Sequence, residues 1–151
     1  MIKKYFTVGP SAIYPICPEE TAKYYQLGYG SESHRSGVFK KIYQHLDEQL
    51  RILMYIPYSH DIYIASSGSE LFERIIQNCV QSASFHFING AFSRKWHKYA
   101  QRLNVNTYTH EVADGQSFDS LIPEIPEDVD LICITHNETS TGIKTPESFI
   151  H

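Results

Sequence analysis

The chain has 151 residues, enough for one domain with its own core, and its 42% hydrophobic and 20% charged composition is that of a globular rather than a disordered protein. A formal net charge of -4 excludes the basic stripe with which nucleic-acid proteins grip phosphate backbones, so no nucleic-acid partner is expected. Cys17, Cys79 and Cys133 are far apart and form no C-x-x-C pair, so no metal site or disulfide framework is expected either. The N-terminal apolar run is too short for a signal peptide, and no stretch of roughly 18 apolar residues occurs, so the expectation is a cytoplasmic protein without a membrane partner.

Along the chain, Phe6 to Ser11 reads as an extended, turn-like opening. Pro18 suits the first turn of a helix running towards Leu27, which Gly28 and Gly30 end. Val38, Phe39, Ile42, Tyr43, Leu46, Leu50 and Leu53 recur at helical spacing and predict a second helix with one apolar face, stopped before Pro57. Strands and helices then alternate. Residues 61–65 read as a strand, followed by a helix from Ser66–Ser69 to about Gln81. Residues 84–88 read as a second strand, with a helix from Asn89-Gly90 to about Leu103. Residues 105–112 and 130–135 complete the strands, with Pro123 and Pro126 in the loop between them. This rhythm predicts an α/β fold, a mostly parallel sheet flanked by helices, with ligands gathered at the carboxyl ends of the strands.

Four segments carry candidate chemistry, each with an ordinary structural alternative. Ser66-Ser67-Gly68-Ser69 opens a helix, where free amides and the positive helix end favour an anion; it also reads as a plain serine N-cap. Residues 135–142, Thr-His-Asn-Glu-Thr-Ser-Thr-Gly, are dense in hydroxyls and amides at a strand end, or are a polar loop turning at Gly142. Asn89-Gly90-Ala91-Phe92 offers a ring able to stack on a planar cofactor, or a turn with Phe92 tucked into the core. Ser33-His34-Arg35-Ser36 pairs a guanidinium fork with an imidazole, fitting carboxylate or phosphate, or is a solvated loop.

In order and approximate spacing these segments resemble class V of the fold-type-I pyridoxal-phosphate (PLP) aminotransferases, nearest the phosphoserine aminotransferase branch. The match includes the F-x-x-G-P opening (Phe6 to Pro10), S-H-R (Ser33 to Arg35), the phosphate turn with Glu73 and Asn78, N-G-x-F with Trp96, and H-x-E-T-S-T-G (His136 to Gly142). The resemblance implies that Gly68 and Ser69 cradle the phosphate of PLP, that Phe92 stacks on its pyridine ring, and that Thr139 bonds near its phenolic oxygen, with Asn137 and Glu138 shaping the loop. It implies that His34 and Arg35 meet the acidic groups of an amino-acid or 2-oxo-acid substrate, across a homodimer interface. Ser69 stands where bacterial members of the branch often carry arginine. The N-G-x-F and E-T-S-T-G forms also occur in alanine–glyoxylate and serine–pyruvate aminotransferases, which stay open as alternatives.

Transamination also needs a Schiff-base lysine and an acid paired with the pyridine nitrogen. The resemblance places both beyond His151, so no catalytic residue is assigned in this chain. Lys95, Lys144 and the other lysines sit in polar or helical contexts that read as solvent-facing. The expected organisation is an N-terminal segment plus part of the PLP-binding large domain over residues 1–151, inactive alone. The activity expected of the full-length protein is phosphoserine transamination with 2-oxoglutarate; a non-catalytic interaction module of the same fold is the alternative from another class.

Overall fold

The computed structural model describes residues 12–118 and 122–150. The F-x-x-G-P opening lies outside them. The chain divides into two compact units, residues 1–63 and 64–151.

The first unit is helical. Helix α1 (Cys17–Gln26) begins with Pro18 in its first turn, where a missing N–H costs nothing, and is followed at Gly28 by a left-handed φ of 80°, which glycine adopts without the steric cost of a side chain. A 3-10 turn (Tyr29–Ser31) follows. Helix α2 (Gly37–Met54) starts at Ser36, whose hydroxyl accepts the Phe39 amide at 3.0 Å. At its far end Arg51 binds Asp47 at 2.7 Å and donates to the carbonyls of Pro57 and His60, both at 3.0 Å. The Tyr43 hydroxyl donates to the Ile62 carbonyl at 3.0 Å. These bonds hold residues 57–62 against α2 without a strand.

Residues 61–65 therefore depart from the sequence expectation. They form no strand, because a strand is defined by a partner and none pairs with them among the described residues. Tyr63 and Ile64 stay exposed.

The second unit is an α/β layer structure. Helix α3 (Gly68–Cys79) leads into β1 (Ala83–Ile88), helix α4 (Ala91–Arg102), β2 (Asn106–Glu111) and β3 (Val129–Cys133). The three strands form one parallel sheet in the order β2-β1-β3. Central β1 is buried at all six positions, as expected when both faces of a parallel sheet are covered. Its side chains alternate between the two faces of the sheet. Phe85 and Phe87 pack with Phe118 and Phe149 on one face, with neighbouring ring centroids 5.2–5.5 Å apart. Ile76, Ala100 and Cys133 form the other cluster, with Trp96 and Leu103 packed against it. Phe72 of α3 stacks on Trp96 of α4 at 4.8 Å, tying the two helices together.

The polar loop expected at 135–142 is folded more tightly. β4 (Asn137–Glu138) and β5 (Ile143–Lys144) pair antiparallel, with Gly142 at φ 72° closing the turn. A short helix, α5 (Glu147–Ile150), follows.

Asp130 joins the start of the sheet to the end of α3. One carboxylate oxygen accepts the amides of Gln81, Ser82 and Ala83 at 2.8, 2.5 and 3.3 Å. Those bonds hold its pKa below the usual carboxylate value. Its contribution to stability is thus present above the unfolded-state pKa and is lost as pH falls through the lower native value. Asp130→Ala is expected to lower the thermal midpoint at neutral pH and to converge with the parent chain in acid; parallel melting curves at all pH values would refute this.

No helix among the described residues is long and apolar enough to cross a membrane, and no cluster of three metal-ligating side chains occurs among them. Cys17, Cys79 and Cys133 are all free, with the Cys133 thiol pushed up to about 12 by burial.

Candidate functional site

An α-helix begins with amide donors that have no partner inside the helix, and the helix dipole adds positive potential there. Helices α3 and α4 satisfy those donors in opposite ways.

At α4 the donors are all taken from within the chain. Ala91 N donates to Ser140 Oγ at 2.9 Å, Phe92 N to Glu138 Oε1 at 3.2 Å, and Ser93 N to Glu138 Oε2 at 2.8 Å. The hydroxyls of Ser93 and Ser140 donate to the same carboxylate at 2.9 and 2.5 Å. Glu138 has no exposed surface. Burial by itself raises its pKa, but the bonds from Ser140, Ser93 and the Phe92 amide outweigh burial and leave it lowered, so Glu138 is an anion. Gly90 explains how the carboxylate fits. A Cβ there would lie 2.5 Å from Glu138 Cγ and 2.6 Å from Cδ. The N-G-x-F and E-T-S-T-G segments are thus two halves of one packed turn.

At α3 the arrangement is open. Ser67 is the N-cap and accepts the Glu70 amide at 3.2 Å, while Glu70 reaches back to the amide and hydroxyl of Ser66 at 2.9 and 2.7 Å. The ordinary N-cap alternative is therefore correct for Ser67. The amides of Gly68 and Ser69, the first two of the helix, find no acceptor among the described residues. Gly68 is exposed with no neighbouring atom within 4 Å of where a Cβ would stand, and Lys95 Nζ donates to Ser69 Oγ at 2.7 Å. Open amides beside an ammonium suit a phosphate. Lys95 is exposed, as the sequence suggested, yet it is tied to the site rather than free in solvent.

Lys95 also links the two helix starts. It lies three residues after Phe92 on α4, so both side chains project from one face. Phe92 is 43% exposed, which rules out the reading in which it is tucked into the core. Thr139 is exposed, between Glu138 and Ser140, and its hydroxyl has no partner among the described residues. Asn89 Oδ1 and His136 Nε2 are buried and have no partner among the described residues. Gly68 and Ser69 are thus connected through Lys95, Phe92 and Glu138 to Thr139.

His34 and Arg35 belong to the first unit, exposed just before α2. The Arg35 amide donates to Ser33 Oγ at 3.2 Å, and its guanidinium has no partner among the described residues. Lys144 pairs with Asn137 in the hairpin and lies 3.6 Å from Glu147, exposed.

Two participants escaped sequence reading. Glu138 was expected only to shape its loop, and nothing in sequence marks a carboxylate as the cap of a helix that starts 47 residues earlier (138 minus 91). Lys95 had a usable signal, its helical spacing from Phe92, which solvent-facing composition obscured.

No family model matches the chain. Among known proteins it is 30% identical over 115 residues to a phosphoserine aminotransferase of Corynebacterium glutamicum, covering 76% of this chain and 30% of that protein. It is 28% identical over 149 residues to one from Rhodococcus opacus, covering 95% and 38%. The chain therefore spans well under half the length of these relatives. A crystal structure of a phosphoserine aminotransferase from Cytophaga hutchinsonii matches 98% of this chain with a TM-score of 0.86 and 38% identity, using 41% of its own length. A PLP-bound phosphoserine aminotransferase from Trichomonas vaginalis matches 92% with a TM-score of 0.68; at 24% identity that likeness concerns the fold. The chain is a relative of the phosphoserine aminotransferases and shares their α/β fold over the part of their length that it spans.

Proposed function

We propose that this chain forms the phosphate and ring side of a PLP site in a class V aminotransferase that transfers the amino group of phosphoserine to 2-oxoglutarate. The observation that carries this reading is the open start of α3, with the unpartnered Gly68 and Ser69 amides beside Lys95. When bound, PLP supplies an electron sink for breaking bonds at an amino-acid α-carbon. The chain's own residues bind and orient. Gly68, Ser69 and Lys95 hold the phosphate, Phe92 covers one face of the ring, and the Thr139 hydroxyl donates near the phenolic oxygen. Residues 64–150 are read as part of the cofactor-binding large domain, following an N-terminal segment.

His34 and Arg35 are proposed to receive the substrate's acidic groups, which fits a homodimer in which the first unit serves a site completed by a second copy. The relatives' names favour phosphoserine over the alanine–glyoxylate and serine–pyruvate alternatives. A cytoplasmic location goes with that metabolic role.

Binding is testable on this chain. PLP titration, followed by absorbance and thermal midpoint, is expected to saturate and to be competed by inorganic phosphate. Lys95→Ala is expected to weaken binding by roughly tenfold, the size of one charge-assisted contact to phosphate. No saturable binding to the parent chain would overturn the site. For the reaction, a full-length protein containing this stretch should turn over phosphoserine faster than serine or alanine; equal rates for all three would remove the substrate assignment.

A further inference from the structure

We propose that Glu138 is a positioning residue: it is a built-in carboxylate that occupies the anion site at the start of α4, fixes the backbone beneath Phe92, and so leaves the start of α3 as the open anion site. The part concerning Phe92 rests on the PLP reading above.

Two helix starts in one unit would both attract anions on general grounds. Of the starts of α3 and α4, that of α3 is open and that of α4 is filled. At α4, Glu138 and Ser140 satisfy the amides of Ala91, Phe92 and Ser93. A phosphate would first have to displace this internal acceptor set, whose carboxylate is fully buried and lies where a Cβ on Gly90 would stand. At α3 the returning acid, Glu70, engages Ser66 and leaves the Gly68 and Ser69 amides open.

The group must be a carboxylate. Its two oxygens meet only donors: the Phe92 and Ser140 amides with the Ser140 hydroxyl at Oε1, and the Ser93 amide and hydroxyl at Oε2. A glutamine amide has the same shape, but either orientation turns its NH2 towards a backbone N–H that cannot reverse. The consequence reaches the ring directly, since the Phe92 amide is one of the donors. Thr139 and Ser140 hang on the same anchor, so one carboxylate sets the separation of the stacking ring and the oxygen-side hydroxyl.

The test uses the whole chain as Glu138→Gln and Glu138→Ala. PLP affinity is expected to fall roughly tenfold or more in Glu138→Gln, the size seen when the outer support of a site is removed. The amide resonances of Phe92 and Ser93 should shift in the same variant. In Glu138→Ala, added sodium acetate should return those resonances towards the parent positions and restore PLP affinity, whereas acetamide or sodium chloride should not. A general loss of packing would not distinguish acetate from acetamide. Unshifted Phe92 and Ser93 amides in Glu138→Gln, or equal effects of acetate and acetamide, would overturn the proposal. Should Glu138→Ala not fold, Glu138→Gln and its amide shifts decide. Should the parent chain bind no PLP, the site reading fails, while the amide shifts and acetate response still judge the role of Glu138.

Discussion

Alanine at position 90 is expected to destabilise the chain by about 2–3 kcal/mol, the upper range for forcing an extra carbon into a packed interior. The cost is purely spatial. Gly90 has a φ of 177°, an extended backbone that any residue adopts. A Cβ there would nevertheless stand 2.5 Å from Glu138 Cγ, 2.6 Å from Cδ and 2.8 Å from Ser140 Oγ. Neither neighbour can swing away cheaply. Glu138 is fully buried and bound to Ser93 and the Phe92 amide, and Ser140 is bound to Ala91 and to Glu138. Moving them would leave the first amides of α4 and a buried carboxylate short of partners. Gly68→Ala provides the contrast, because open space surrounds its position and φ is not positive there. Its effect on stability is expected within about 0.5 kcal/mol of zero or slightly favourable, from the lower entropy of the unfolded chain. Urea unfolding of the two variants beside the parent chain measures both. Equal small effects at positions 90 and 68 would refute the packing argument.

The second large effect is a loss of stability in mild acid, centred on His86. This histidine lies on the central strand, 1% exposed; its Nε2 pairs with Ser84 Oγ at 2.9 Å and its Nδ1 has no partner among the described residues. Burial, with a smaller contribution from the charge of His97, lowers its pKa from 6.5 to about 4. The His97 ring stands 5.2 Å away and is itself lowered by burial, though Glu111 opposes that. A lowered histidine pKa means that the unfolded chain binds the proton more readily. Stability is therefore complete above the unfolded value near 6.5 and falls as pH drops towards the native value near 4. The full difference corresponds to about 3 kcal/mol, reached only below both values. Denaturation midpoints between about pH 7 and 5, above most carboxyl titration, should show the slope. His86→Met, apolar and of similar volume, is expected to flatten it, leaving the smaller part due to His97. A parent chain with flat stability over that range would exclude this origin.

Much of the architecture was legible because period and punctuation report local physics. The apolar repeat from Val38 to Leu53 predicts α2, and Ser36 and Tyr55 bound it within a residue or two. The runs at 84–88, 105–112 and 130–135 became β1, β2 and β3 with small changes at their ends. Residues 61–65 have the apolar character of a strand but form none among the described residues. Composition can say that a segment would suit a sheet; it cannot supply the neighbouring edge that makes it one. The hairpin of residues 137–144, which begins in the hydroxyl-rich segment and ends beyond it, has no sequence signature for a related reason. Its two-residue strands are too short for any periodicity to register, and Gly142 alone marked the turn.

For the site, the sequence by itself determined which residue types stand at the helix starts: a serine cap, glycines, an aromatic and a hydroxyl-rich segment, each readable from local preference. Only the tertiary structure decided which of those starts is open. Glu138 closes α4 from 47 residues away in sequence (138 minus 91), and Lys95 leans onto Ser69 from the neighbouring helix. Hydrogen bonds between distant segments depend on register and packing distance, quantities that no local pattern encodes. The candidate anion site is thus specified as much by the carboxylate that fills its neighbour as by the glycine and serine that form it.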